Sequence, residues 1–160
     1  MFHLKYKSLL YAILIFSIFC LSFAYFVEYV LGHKPCNLCL FERLPYILAI
    51  IIISLVLITK KFEKLIFILL TLIFISSTIL SFYHLGIEQG FFEESFVCLA
   101  SPDQSKLSSD ELLKQLENMP VSCKNVDFKI FGLSLATINL IVSFILSIIS
   151  IKKFLNYENR

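Results

Sequence analysis

Four long apolar stretches divide the chain, and the charged residues lie between them or at the two ends. The uncharged stretches cover residues 8–27, 44–59, 65–83 and 130–151. Three of them come close to the roughly 20 residues that an α-helix needs to cross a bilayer, and the second is short by about four. The pattern predicts an all-α protein, an integral membrane four-helix bundle in which residues 1–160 form a single domain. The expected spans are about 8–30, 38–59, 65–84 and 130–151.

Positive charge marks one side of these predicted spans. Lysines and arginines flank that side at positions 5, 7, 60, 61, 64, 152, 153 and 160, against only two acids, Glu63 and Glu158. The positive-inside rule then places both termini and the 60–64 turn in the cytoplasm. The connections at about 31–37 and 85–129 then face outward. The net charge of +2 is a signal of topology and gives no indication of nucleic acid.

Composition supports the membrane interpretation, because 58% of the residues are hydrophobic and 15% are aromatic. A soluble domain of this size carries far less apolar sequence. A cleaved signal peptide is the alternative for the N-terminus. We expect the first stretch to be retained, because it is longer than a typical signal core and its removal would put the remaining positive flanks on inconsistent sides.

The five cysteines separate sharply on this topology. Cys36 and Cys39 lie in or beside the first outward loop, and Cys98 and Cys123 lie in the second. Cys20 falls within the first span, where cysteine usually packs as a small apolar residue. Two thiols per loop indicate two disulfides, or a relay that exchanges bonds between the loops.

Each cysteine pair also has a simpler interpretation. Cys98 and Cys123 close a long loop, as a static structural disulfide does. Four cysteines can bind zinc, but the second pair lacks the close spacing of a zinc ribbon, so no metal is expected. The CxxC pair is too close in sequence to restrain much chain, and its spacing is common in redox and metal sites.

Pro35 fits the first turn of a helix, so the second helix is expected to start near Cys36 and to gain the length to cross. Cys36 and Cys39 then occupy a helix N-terminus, with Arg43 one turn below Cys39 on the same face. The helix dipole and a nearby guanidinium both favour thiolate over thiol. Arg43 has two alternative roles, since it can extend to the headgroups or pair with Glu42 or Glu28.

The stretch "SSDELLKQLENMP" between the second pair of cysteines predicts a short helix over about 109–118. Ser108 and Glu111 have the spacing of a capping box, and Pro120 marks the end. Leu112 and Leu116 fall on one face. We therefore expect an amphipathic helix on the outer membrane surface or against the bundle.

Five sequence blocks resemble the DsbB family of membrane thiol oxidases. They are "KPCNLCLFERLPY" at 34–46, "YHLGIEQGFFE" at 83–93, "FVCLA", "VSCKN" and "FGLSLATINL". The resemblance implies an enzyme that reoxidises a periplasmic DsbA-like thioredoxin-fold partner and passes the electrons to a membrane quinone, either ubiquinone or menaquinone. The chain departs from the family pattern in its aromatic residues. It has no tryptophan, and it carries Phe91 and Phe92 where relatives often have tryptophan.

The same resemblance implies roles for individual residues. Cys36 and Cys39 would form the quinone-coupled disulfide, with the Cys39 thiolate against the quinone ring, and Arg43 would help to bind the quinone. The partner would attack Cys98, and Cys123 would exchange with Cys36. His84 is expected to hydrogen-bond a quinone carbonyl or to be an ordinary interfacial histidine. The alternative function is a nonenzymatic four-span protein with structural disulfides or a metal site.

Overall fold

A computed structural model describes residues 2–59, 63–94, 98, 122–124 and 128–158. Within these ranges the chain forms five helices and one two-stranded hairpin. In chain order they are α1 (Phe2–Tyr29), α2 (Asn37–Phe41), α3 (Leu44–Thr59), α4 (Glu63–Glu88), β1 (Lys129–Ile130), β2 (Leu133–Ser134) and α5 (Leu135–Glu158).

Four segments of the described chain are long and apolar enough to cross a membrane: Lys7–Tyr29, Asn37–Thr59, Leu65–Glu88 and Leu135–Leu155. Large apolar side chains such as Ile15, Phe19, Ile58 and Ile79 lie on their outer surfaces. Such a surface is compatible with lipid and not with water. The predicted four-helix membrane fold is therefore confirmed. The amphipathic helix predicted over 109–118 falls outside the described residues.

The bundle is held by an apolar core and by close packing between α4 and α5, while α3 contacts both α1 and α4. The core side chains come from all four long helices: Leu10, Ile13, Tyr46, Ala49, Ile53, Ile66, Phe67, Leu70, Phe74 and Leu146. Between α4 and α5, the Ser77 and Ser143 hydroxyls are hydrogen-bonded at 2.9 Å, and both residues are fully buried. Small polar residues of this kind allow helix backbones to approach closely in a bilayer.

The second span is interrupted between α2 and α3. Pro45 has no N–H to offer the carbonyl of Phe41, so a regular helix cannot continue through this point. The amide of Arg43 instead bonds the carbonyl of Leu40 at 3.1 Å, one residue short of the α-helical spacing. Pro45 therefore accounts for the break between α2 and α3, which puts Glu42 and Arg43 at the irregular point.

The last long helix begins at Leu135, five residues later than the start of the predicted span. The preceding residues form the β1–β2 hairpin, in which Ile130 pairs with Leu133 across a two-residue turn. Both turn residues, Phe131 (φ 50°) and Gly132 (φ 83°), have the positive φ that such tight hairpins require. Ser134 then caps α5, because its Oγ accepts the amide of Thr137 at 3.2 Å.

Helix α4 continues one turn beyond the predicted end of its span. Gly90, with φ 78°, supplies the left-handed residue of a Schellman motif. The amide of Phe91 bonds the carbonyl of Gly86 at 2.8 Å, and the amide of Gly90 bonds the carbonyl of Ile87 at 3.0 Å. This termination fixes His84 and Glu88 in the last turns of α4.

A candidate dithiol site at one end of the bundle

The CxxC pair lies at the N-terminus of α2, as the position of Pro35 predicts. Cys36 is the N-cap, and its Sγ accepts the backbone amide of Cys39 at 3.3 Å. The two sulfurs are 2.8 Å apart, and both residues are free cysteines. Cys36 is only 5% exposed. The cap geometry therefore aims both sulfurs at the same small volume.

His84 joins this pair from α4. Its Nε2 lies 3.5 Å from the Sγ of Cys36, and its Nδ1 lies 2.8 Å from Oε1 of Glu42. Because a carboxylate only accepts, Nδ1–H donates to Glu42, which fixes the imidazole with Nε2 toward the sulfur. Hydrogen bonding with Cys39 and the adjacent His84 ring lower the pKa of the Cys36 thiol to about 5, although burial acts in the opposite direction.

Glu42 is held in turn by a polar network that reaches α5. The side-chain amide of Asn139 donates to Oε2 of Glu42 and to the hydroxyl of Ser81, both at 2.8 Å. Tyr46 donates its hydroxyl to Oδ1 of Asn139 at 2.5 Å. A buried polar group is tolerated only when it is hydrogen-bonded, and this network satisfies both oxygens of Glu42. The orientation of His84 is therefore determined by α3 and α5 as well as by its own helix.

Arg43 turns toward α1. Its Nη1 donates to Oε2 of Glu28 at 2.5 Å, and its guanidinium lies 4.9 Å from the centre of the Tyr25 ring. The pairing with Glu28 was one of the alternatives open from sequence. It holds the guanidinium, which is only 11% exposed, against the wall of the cavity described below. The ion pair orients a cation at this wall.

The second pair of cysteines forms a disulfide, with the Cα atoms of Cys98 and Cys123 5.7 Å apart. Both residues are buried in one apolar cluster with Cys36, and Cys39 packs against that cluster. Four cysteines from two distant parts of the chain thus meet in one place. The two residues that flank Cys123 in the chain are held by Glu94, which accepts hydrogen bonds from the Ser122 hydroxyl and from the backbone amide of Lys124.

A cavity of about 450 Å³ opens beside this cluster. Most of its wall is apolar and comes from α1 and α5, including Phe16, Phe19, Ile138 and Val142. Cys20 also lines it, while packing against the bundle core. The polar part of the wall includes Cys36, Cys39, Arg43, His84, Glu88 and Cys123. A mostly apolar pocket with a few convergent polar groups is typical of a site for a small organic molecule.

Two comparisons with known proteins agree with this arrangement. The family described as disulfide bond formation protein DsbB matches residues 6–152. The chain belongs to the DsbB family. It is also 35% identical, over 146 residues, to the uncharacterized protein RP370 of Rickettsia prowazekii (strain Madrid E), an alignment that covers 90% of this chain and 85% of that protein. The DsbB-family protein is thus a multi-pass membrane protein of disulfide bond formation.

All the site residues predicted from sequence that belong to the described ranges line the cavity or the adjoining cysteine cluster. Sequence reasoning missed Glu42 as the partner of His84, and it gave no role to Glu88. The side chain of Glu88 is 6% exposed, and its Oε1 lies 3.8 Å from Nε2 of His84. Its Oε2 is buried without a hydrogen-bond partner among the described residues. The spacing of His84 and Glu88, one helical turn apart, was the available signal.

Proposed function

We propose that this DsbB-family protein is a thiol:quinone oxidoreductase that reoxidises a periplasmic DsbA-like protein by disulfide exchange. The observation that carries the proposal is the single buried cluster of Cys36, Cys39, Cys98 and Cys123 beside an apolar cavity. A static brace needs no free dithiol, with its sulfurs 2.8 Å apart, beside the Cys98–Cys123 disulfide. Exchange between the pairs does need that proximity.

The proposed exchange sequence is the one that the family resemblance implies, and the proximity of the four cysteines supports it. A thiolate of the partner attacks Cys98, and the Cys98–Cys123 bond breaks to release the Cys123 thiolate. Since Cys98 is 4% exposed, this attack requires local opening around the disulfide. Cys123 then attacks Cys36 of an oxidised Cys36–Cys39 pair, and the Cys39 thiolate leaves toward the cavity.

The cycle closes when the partner's second thiol releases it as a disulfide and Cys98 attacks Cys123. Cys36 is the leaving group in that step, and a thiol of low pKa leaves faster than an ordinary thiol. The pKa of about 5 for Cys36 therefore suits this role. His84, oriented by Glu42, stabilises the departing sulfur at 3.5 Å.

The mostly apolar cavity beside Cys39, with its few polar groups, supports a quinone as the final electron acceptor. A bound quinone supplies a two-electron, two-proton acceptor, so that one partner dithiol and one quinone give one disulfide and one quinol. Cys39 would contact it, Arg43 would hold it with a cationic donor, and His84 would offer a ring N–H. A DsbA-like disulfide is strongly oxidising, at about −120 mV, so an ordinary protein disulfide cannot regenerate it without such an acceptor.

The proposal includes an orientation in the bacterial inner membrane. The positive flanks at 5–7, 60–64 and 152–153 support cytoplasmic termini. The cysteine cluster lies at the opposite ends of the helices, where the periplasm is oxidising.

Trapping of a mixed disulfide tests the partner step. A DsbA-like protein that lacks its resolving cysteine should form a covalent complex with the wild-type chain through Cys98, and Cys98→Ala should abolish that complex. Absence of a complex with the wild-type chain, when the remaining cysteine of the partner is a free thiol, would favour the nonenzymatic alternative, in which the disulfide only braces the loops.

A further inference from the structure

The reduced CxxC pair and His84 form a set of donors that suits a metal ion. The sulfurs of Cys36 and Cys39 and a ring nitrogen of His84 lie within 4.8 Å of one another. In a tetrahedral zinc site, with Zn–S of about 2.3 Å and Zn–N of about 2.0 Å, a sulfur and a nitrogen ligand stand roughly 3.5 Å apart. The observed separation of Cys36 Sγ and His84 Nε2 is 3.5 Å. The two sulfurs must move apart by about 1 Å to reach tetrahedral spacing.

Glu88 supplies an independent observation that points to a cation. Its Oε1 is 3.8 Å from Nε2 of His84, and its side chain is only 6% exposed. Its Oε2 has no hydrogen-bond partner among the described residues. A buried carboxylate oxygen without a partner is costly, whereas coordination of a cation satisfies it. The donors of Cys36, Cys39 and His84 alone lie within 4.8 Å of one another, so Glu88 is the candidate for a fourth ligand and its carboxylate must turn toward the sulfurs to complete a tetrahedron.

The surroundings of the donors match those of known zinc sites. A histidine that ligates a metal through one nitrogen usually donates its other N–H to a carboxylate, which fixes the ring. His84 does this through Nδ1 to Glu42 at 2.8 Å, and Asn139 holds Glu42. The Cys39 amide already points at the Cys36 sulfur at 3.3 Å, and such a hydrogen bond favours the thiolate form that a metal requires.

We propose that the reduced protein binds a thiophilic divalent cation, Zn²⁺ or a close analogue, through Cys36, Cys39, His84 and Glu88. Binding forms two metal–sulfur bonds to the thiolates of Cys36 and Cys39 and releases any proton that either sulfur still carries, and no electrons are transferred. Oxidation of Cys36 and Cys39 to a disulfide removes both thiolates and abolishes the site. A bound cation in turn holds the two sulfurs apart, so it inhibits the oxidation of Cys36 and Cys39 to a disulfide.

Cobalt provides the first test, because tetrahedral Co²⁺ with thiolate ligands has characteristic visible and charge-transfer bands. The full-length chain with Cys20→Ala, Cys98→Ser and Cys123→Ser carries only the two cysteines of interest. After reduction by a phosphine without thiols, it should bind one Co²⁺ per chain with these bands, and the oxidised protein should show none. Equal bands in both redox states, or none in the reduced protein, would overturn the proposal.

Variants of the other two ligands sharpen the test. In that background, His84→Gln and Glu88→Gln should each weaken Co²⁺ binding by about 10-fold or more, as loss of a ligand or its support does. Glu93→Gln, which neutralises an exposed carboxylate a few residues away, is the matched control and should leave the affinity unchanged. An unchanged Co²⁺ affinity in Glu88→Gln would show that Glu88 is not a ligand and would overturn the proposal.

X-ray absorption of Zn²⁺ on the reduced wild-type chain needs no substitution and is independent of folding in the variants. We expect two sulfur and two nitrogen or oxygen neighbours around the metal. Four sulfur neighbours would instead indicate a site shared with Cys98 and Cys123, and would contradict the proposal. Because the readout is metal binding, this test is also independent of whether a quinone or a DsbA-like partner is used.

Discussion

His84 shows at the scale of single residues how the site is assembled. The sequence places this histidine 48 positions from Cys36, yet its Nε2 lies 3.5 Å from that sulfur. Its other nitrogen is held by Glu42, so the ring has a fixed orientation and is not simply an interfacial side chain. The arrangement gives Cys36 a partner that stabilises negative charge on sulfur, in the manner of other activated thiols.

The hydrogen bond with Cys39, together with the His84 contact, predicts an acidic Cys36 thiol. Since the pKa of Cys36 is lowered to about 5, its thiolate should form at a lower pH than that of an unperturbed cysteine, which titrates near 8.5. In the reduced background with Cys20→Ala, Cys98→Ser and Cys123→Ser, ultraviolet absorbance of the thiolate should report this first step. His84→Gln should raise its midpoint. A first midpoint above pH 8 in the background protein would contradict the assignment.

Arg43 carries a second prediction at this scale. If its guanidinium holds the quinone, Arg43→Ala should raise the apparent quinone KM, and Arg43→Lys should recover only part, because lysine lacks the planar donor fork. Glu28→Gln should have a smaller effect, since it removes only the group that orients the guanidinium. Identical quinone kinetics in the wild type and the three variants would show that Arg43 only pairs with Glu28 and does not bind the quinone.

Among the elements, the end of α4 is the one on which the site depends most. Phe92 folds back over Gly86 after the Schellman motif and stacks on Tyr83, with ring centres 5.6 Å apart. A Cβ on Gly86 would lie 2.1 Å from a Phe92 ring carbon. The missing side chain at Gly86 therefore makes room for the aromatic ring that covers the last turn.

Gly86→Ala should consequently lower the thermal stability of the purified protein, with a cost of about 1–3 kcal/mol for overpacking. Combining it with Phe92→Ala removes the clash, so the two substitutions should be non-additive, and the double variant should be little worse than Phe92→Ala alone. The melting temperatures of the four proteins measure this coupling. Simple additivity would show that the ring does not pack on Gly86.

The helices and the hairpin of this protein differ in how well the sequence predicts them. The four spans follow from hydropathy, because a bilayer imposes their length and composition. The start of α5 does not, since residues 130–134 are apolar but are used in a hairpin whose turn is fixed by Phe131 and Gly132. Within the site, the local CxxC cap was predictable. The contact of Asn139 with Glu42 was not, because it joins positions 97 apart through tertiary packing.

At the scale of the whole molecule, the bundle brings two kinds of chemistry to one place. A disulfide from one connection and a dithiol from another share a buried cluster, and that cluster borders a cavity whose wall is mostly apolar. Under the proposed function, this proximity couples thiol exchange with a water-soluble protein to electron transfer to a lipid-soluble acceptor. The chain's position in the membrane explains why its CxxC lies where the second span begins.

The orientation is a prediction of its own. Reporter fusions at residue 160 should be active only for a cytoplasmic reporter, and fusions after residue 94 only for a periplasmic one, because the positive flanks are concentrated on the other side. The reverse pattern would place the cysteines in a reducing compartment and would be incompatible with the proposed function.

The most direct measurement is the stoichiometry of the complete reaction in purified full-length protein. A reduced DsbA-like protein and a short-chain quinone are mixed with catalytic amounts of the enzyme, and partner disulfide and quinol are quantified together. We predict one quinol for each partner disulfide, with turnover abolished by either Cys36→Ala or Cys39→Ala. Partner oxidation that proceeds without quinone consumption, or at an unchanged rate in those two variants, would contradict the account.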